Sequence, residues 1–170
     1  EYSLLDGAVK VDELVNHCVE NNISAVAVTD HGNMYASLKF AEKCKKNKIK
    51  AIIGCEFYVV DDYRKHIDQH ADHLILLAKN KAGYVNLVQL DSLAFVDGYY
   101  YRPRIDYTVL REHTNGVICL SACLAGRIPR YLMAGEYEKA KAFALDMKGL
   151  FGDDFYIEIQ DHGIPEQKQI

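Results

Sequence analysis

Ala25-Val26-Ala27-Val28-Thr29-Asp30-His31-Gly32-Asn33 is the stretch on which the fold turns. Its first five residues, led in by Ile23, form a short, almost wholly apolar run, the pattern of a strand covered on both faces. The next four are turn-formers that carry a carboxylate and an imidazole. Upstream, Val11, Leu14, Val15, Cys18 and Val19 recur at helical spacing and predict an amphipathic helix over 10–22, stopped by Asn21-Asn22. Downstream, Leu38, Phe40, Ala41 and Cys44 predict a second helix, with lysines towards its end, where the helix dipole favours cations.

The alternation continues outward. Ala51-Ile52-Ile53 reads as a short strand broken by Gly54, after which Glu56 to Val60 is again extended. A polar loop covers 61–72, a strand His73–Ala78 and a helix 81–95. A short helix near 107–113 and a strand over 117–120 follow. Two helices, 127–134 and 136–150, flank Gly135, and Tyr156 to Gln160 reads as the last strand. Apolar strands alternating with helices define an α/β domain with a mostly parallel sheet. Pattern alone leaves two architectures open, a doubly wound open sheet and a sector of a barrel.

The chain of 170 residues fits one domain, and its formal net charge of -4 gives no overall basic field to hold a polyanion. Five cysteines, an odd number with no Cys-x-x-Cys pair, argue against a disulfide framework and for a reducing compartment such as the cytoplasm. No apolar run approaches the roughly 20 residues that span a bilayer. The chain opens on Glu, not Met, and reads as a segment of a longer polypeptide.

In α/β folds the chemistry gathers at the carboxyl ends of the strands. Asp30, His31, Glu56 and Cys123 fall there, as does a second Asp-His-Gly word, Asp161-His162-Gly163. Asp, His, Glu and Cys are the residue types that bind divalent transition metals. His73 fits less well, because it begins its strand. Asp30 has a plainer alternative as a cap for the following helix. Tyr99-Tyr100-Tyr101-Arg102-Pro103-Arg104 is the one aromatic-basic cluster. It reads either as a surface that stacks on bases and holds phosphates through Arg102 and Arg104, or as a loop packed on a neighbouring domain. No P-loop, GxGxxG or nucleophile elbow is present.

Several words then occur in order: Glu1-Tyr2-Ser3-Leu4-Leu5-Asp6-Gly7, Thr29-Asp30-His31-Gly32-Asn33, Ile53-Gly54-Cys55-Glu56, His73 to Asn80, Gly83-Tyr84-Val85-Asn86-Leu87, Pro103-Arg104-Ile105-Asp106, Ser121 to Gly126 and Gln160-Asp161-His162-Gly163. Together they resemble the PHP (polymerase and histidinol phosphatase) domain of the bacterial replicative DNA polymerase III alpha subunits, over essentially the whole of 1–170. The resemblance implies a distorted (β/α)7 TIM-like barrel, incomplete here at both ends, with up to three divalent metals (zinc, manganese, iron or magnesium) at one end. It places Asp6, His31, Glu56, His73 and Cys123 on metal-ligand positions. It makes His31 and Glu56, with Asp30 beside them, the catalytic set, and leaves Arg102, Arg104 and His162 as candidate phosphate contacts. The family's His-x-His word would precede Glu1, and its Asp-x-His word would follow Ile170. The activity implied is metal-dependent phosphoester hydrolysis, of a 3′–5′ exonuclease or pyrophosphatase type, within a DNA polymerase. The partners implied are DNA, the polymerase core domains, the proofreading subunit and other replisome subunits. Two other readings share the fold: a metal-stabilised scaffold without turnover, and a stand-alone phosphatase of the histidinol-phosphate type.

Overall fold

The computed structural model describes residues 1–170. The elements run α1 (Val11–Glu20), β1 (Ala25–Val28), α2 (Ser37–Lys46), β2 (Lys50–Val60), β3 (Asp72–Ala78), α3 (Lys81–Val96), β4 (Arg104–Asp106), α4 (Tyr107–Arg111), β5 (Val117–Leu120), α5 (Arg127–Met133), α6 (Tyr137–Phe151) and β6 (Phe155–Tyr156). Short 3-10 turns cover Gly152–Asp154 and Pro165–Lys168.

The six strands form one open sheet in the order β1-β2-β3-β5-β6, with β4 also paired to β2. The expectation of a mostly parallel sheet is corrected: β3 runs antiparallel to both β2 and β5, while β1–β2, β2–β4 and β5–β6 are parallel. Only a short polar connection separates β2 from β3, too little chain for a helical crossover, so the chain reverses direction instead. This reversal brings the start of β3 to the end of the sheet where β2 and β5 finish. His73 pairs with Tyr58 near the end of β2, so its place at the start of its strand puts it at the correct end.

The longest strand organises the rest. β2 does not stop at Gly54, as its sequence suggests, but runs unbroken for 11 residues. One of its edges pairs with β3 over residues 54–59. The other edge pairs first with β1, then with His31 opposite Glu56, then with β4. Gly54 is required by close approach. A Cβ there would lie 2.5 Å from Leu77 Cδ2 and 2.6 Å from the Leu76 carbonyl. β4 is missed by sequence pattern because its three residues include a buried Arg and a buried Asp.

The main core packs α3, α4 and α6 against the sheet through Phe57, Leu76, Leu87, Leu90, Ile105 and Met147. A smaller core joins α1 and α2 around Val15, Cys18, Phe40 and Cys44. Cys18, Cys44 and Cys119 are buried free thiols, as their apolar settings predict. Leu38 instead faces outward, 72 % exposed. The final strand is also shorter than its pattern implies. Only Phe155 and Tyr156 pair, because β5 ends at Leu120 and supplies no further ladder; Ile159 is 91 % exposed.

Gly54→Ala tests the close approach of β3 to β2. It should destabilise the protein by about 1–3 kcal/mol, read as a lower urea midpoint.

Candidate metal centre

The site is built on β2. Glu56 is buried, and its carboxylate points from the face of the strand that also carries Tyr58, with His73 opposite on β3. Glu56 Oε1 lies 2.7 Å from His31 Nδ1 and 2.8 Å from His73 Nδ1, so two imidazoles converge on one oxygen. Backbone bonds fix this meeting. The Glu56 N–H donates to the Asp30 carbonyl (3.1 Å), and the Gly32 N–H donates to the Glu56 carbonyl (2.8 Å). The turn that carries His31 is thereby tied to the residue it faces.

His31 Nε2 meets Asp6 Oδ1 at 3.0 Å. His73 Nδ1 is 3.5 Å from Cys123 Sγ. The ligand atoms of Glu56, His73 and Cys123 all lie within 4.8 Å of one another. The five sequence candidates therefore sit in one connected group: Asp6 to His31 to Glu56 to His73 to Cys123. The Cys123 loop is shaped for this. Ala122 holds a left-handed backbone at φ +61°. Gly126 has no room for a Cβ, which would sit 2.3 Å from the Ser121 carbonyl. The loop is pinned to β3 by the bond from His73 N–H to the Ala125 carbonyl, 3.1 Å.

Asp30 does another job. It is buried, and it does not cap α2, whose N-cap residue is Ala36. Its Oδ1 accepts from the Tyr2 N–H (3.1 Å) and the Ser3 hydroxyl (2.8 Å), and Ser3 Oγ accepts from the His31 N–H (3.1 Å). Asp30 thus seats the 1–7 segment that carries Asp6. The second Asp-His-Gly word does not join the group: His162 is exposed, and its backbone N–H and ring both pair with Gln167.

Arg104 is also redirected. It is 2 % exposed, and its guanidinium donates to the carbonyls of Gly98, Ile67, Tyr63 and Lys65. The last three of these bonds hold the β2–β3 loop, and the donors are spent before any phosphate arrives. Arg102 is different. It is exposed, lies 4.8 Å over the Tyr58 ring, and reaches a cleft of about 760 Å³ that His73 and His70 also line.

Sequence reading did not single out Tyr58, whose ring stands edge-on to His73 at 5.2 Å. It also passed over Asp72, fully buried beside His73 and paired with Arg127 and with Arg130 (2.8 Å). Tyr58 lies in a segment whose pattern gives a strand but not its neighbours, and Asp72 at the end of what reads as a polar loop, so neither pattern shows the reversal that brings them here.

The donor set fits a divalent metal. A neutral imidazole carries one N–H, yet His31 faces carboxylates at both ring nitrogens. One of those contacts then opposes a lone pair to an anion, an arrangement that a second ring proton or a bound cation relieves. Nitrogen, oxygen and sulfur donors together suit a transition metal. Without a cation the group is held together by protons. The hydrogen bond to Cys123 and then that to Glu56 outweigh burial and raise His73 to about 9. Burial opposes the charge of Glu56, but the hydrogen bond and charge of His73, with His31 behind them, hold its carboxyl below the usual range.

Comparison with known proteins assigns the class. The PHP domain family profile matches residues 1–162, and the chain belongs to that family. Among curated relatives, DNA polymerase III subunit alpha of Borreliella burgdorferi is 46% identical over 98% of this chain. The proteins of the same name from Treponema pallidum and Thermus aquaticus are 46% and 43% identical over 99% and 100% of it. The chain spans about 15% of the length of each of these relatives.

The raised His73 fixes the pH dependence. Its protonated form stabilises the metal-free fold fully below 6.5, and that contribution is lost as pH rises through about 9. Ligation needs the unprotonated ring, so binding displaces a proton. Zinc affinity should climb about tenfold per pH unit through neutrality and flatten above about 9. Calorimetric titration in buffers of different ionisation enthalpy should count at least one proton released per metal, that of His73, with a second where the Cys123 thiol ligates.

Proposed function

We propose that this chain is the amino-terminal PHP domain of a bacterial replicative DNA polymerase, and that its centre hydrolyses phosphodiesters at a 3′ end. The observation that carries the reading is the convergence of Asp6, His31, Glu56, His73 and Cys123 at one end of the sheet. The 42–46% identity to DNA polymerase III alpha subunits supports the parent activity, DNA synthesis. On the same likeness, the open sheet is a sector of a distorted seven-stranded barrel whose remaining strands and ligands lie elsewhere in the polypeptide. DNA, the polymerase core and the proofreading subunit are the partners, and the cytoplasm is the setting. No helix is long and apolar enough to cross a membrane.

The residues divide the work. Glu56 accepts from the Nδ1 atoms of both His31 and His73 and so fixes how each ring is turned. Asp30 acts through Ser3, positioning His31 and the Asp6 segment. Arg102, without a carboxylate partner, is placed to hold the phosphate. A divalent metal, when bound, polarises a phosphoryl oxygen and lowers the pKa of water to near neutrality. In the hydrolysis, the water oxygen forms a bond to phosphorus, the bond from phosphorus to the 3′ oxygen breaks, and that oxygen leaves with a proton.

Glu56→Gln in the full-length protein decides the reading. It leaves an amide oxygen to accept but removes the negative charge that both imidazoles face, so metal affinity and 3′–5′ cleavage should fall by on the order of 100-fold, the upper range for losing a partner of metal ligands. Metal content by mass spectrometry and cleavage of a labelled oligonucleotide read the two effects. Loss of metal with cleavage unchanged would move the chemistry elsewhere in the polypeptide and leave this centre a structural one.

A further inference from the structure

Tyr101 is a tyrosine where the backbone favours glycine. Its φ is +59°, in the left-handed region that bulky residues avoid. It stands at the tip of a tight turn closed by Tyr100 N–H to the Arg102 carbonyl, 3.1 Å. Its side chain is nonetheless 82 % exposed, so no core packing accounts for the conformation. Its ring partner is Tyr100, at 4.6 Å with the planes 74° apart, and a neighbour so nearly perpendicular can cover at most one face of the ring.

The position gives the ring a use. Tyr101 and Arg102 form the ridge between two clefts. The larger, about 760 Å³, reaches His73; the smaller, about 200 Å³, reaches His31 and Tyr58. The two imidazoles that share Glu56 therefore open on either side of one exposed aromatic ring and one guanidinium that stacks on Tyr58 without a carboxylate partner. A flat π-face beside a free cation, next to a centre that would cut a phosphodiester, matches a nucleotide: base on ring, phosphate on guanidinium. Only an unpaired base offers its face to such a ridge, because a base inside a duplex is stacked on both sides.

We propose that Tyr101 is the stacking platform for the base of an unpaired 3′-terminal nucleotide, with Arg102 on the adjoining phosphate. The proposal rests on the phosphoesterase reading and adds its selectivity: frayed or single-stranded ends over paired ones. Tyr101 is a positioning residue, acting on where the strand sits.

The test uses the full-length protein, metal-loaded and free of other subunits. Its substrates are two single-stranded oligonucleotides that differ only in whether the 3′-terminal nucleotide carries a base. Tyr101→Gly suits the left-handed backbone, so it should fold at least as stably as wild type while lacking the ring. We expect it to raise KM for the base-bearing strand on the order of tenfold, with kcat and the abasic strand little changed. Tyr101→Phe should behave as wild type. Equal KM in wild type and Tyr101→Gly, with both strands still cleaved, overturns the stacking role alone. A fall in melting temperature in Tyr101→Gly shows the ring packed on another domain and also overturns it. Cleavage of neither strand by wild type removes the phosphoesterase reading and this one with it.

Discussion

The site depends on one oxygen. Glu56 Oε1 is buried on a central strand and accepts from two imidazoles, 2.7 and 2.8 Å away. A buried carboxylate is tolerated only when it is paired and hydrogen-bonded. Here the pairing comes from residues 25 positions upstream and 17 downstream, on separate elements: His31 on a turn and His73 on a strand. Charge neutralisation and tertiary assembly are the same event. The strand that carries Glu56 therefore cannot shift register without leaving a charge stranded, since a slip of one residue sends every side chain to the opposite face.

That strand also explains the unusual sheet. β2 exchanges partners along its length, from β1 to His31 to β4 on one edge, with β3 on the other. Gly54 marks the place where β3 first comes alongside, and its missing Cβ is what lets Leu77 and the Leu76 carbonyl approach. Reversal of β3 then carries His73 to the same end as Glu56. Antiparallel β5, in turn, delivers Cys123 there.

Much of this was legible in the residues. Periodic apolar positions give the helices at 10–22 and 81–95, and the turn-formers of the first Asp-His-Gly word lie just past β1, as their residue types require. Residue chemistry, joined to family likeness, gathered the five candidates before any geometry. Direction was not legible. An apolar run such as His73 to Ala78 reads identically parallel or antiparallel, so His73 looked misplaced when it was not. Gly54 looked like a break because a sequence shows the missing side chain but not the neighbour that occupies its space. The second Asp-His-Gly word carried the same letters as the first, yet its strand lost its partner after Tyr156 and left His162 in solvent. Identical words differ in meaning when the ladder beneath them ends.

Arg104 has a consequence for how this surface tolerates change. It grips the loop between β2 and β3 by main-chain carbonyls of Tyr63, Lys65 and Ile67, not by side chains. Every residue type offers the same carbonyl. The loop can therefore drift in sequence while keeping its path, provided its length and its one arginine clasp are kept. The path of the rim is thus set from beneath, by a residue that lies outside the loop itself.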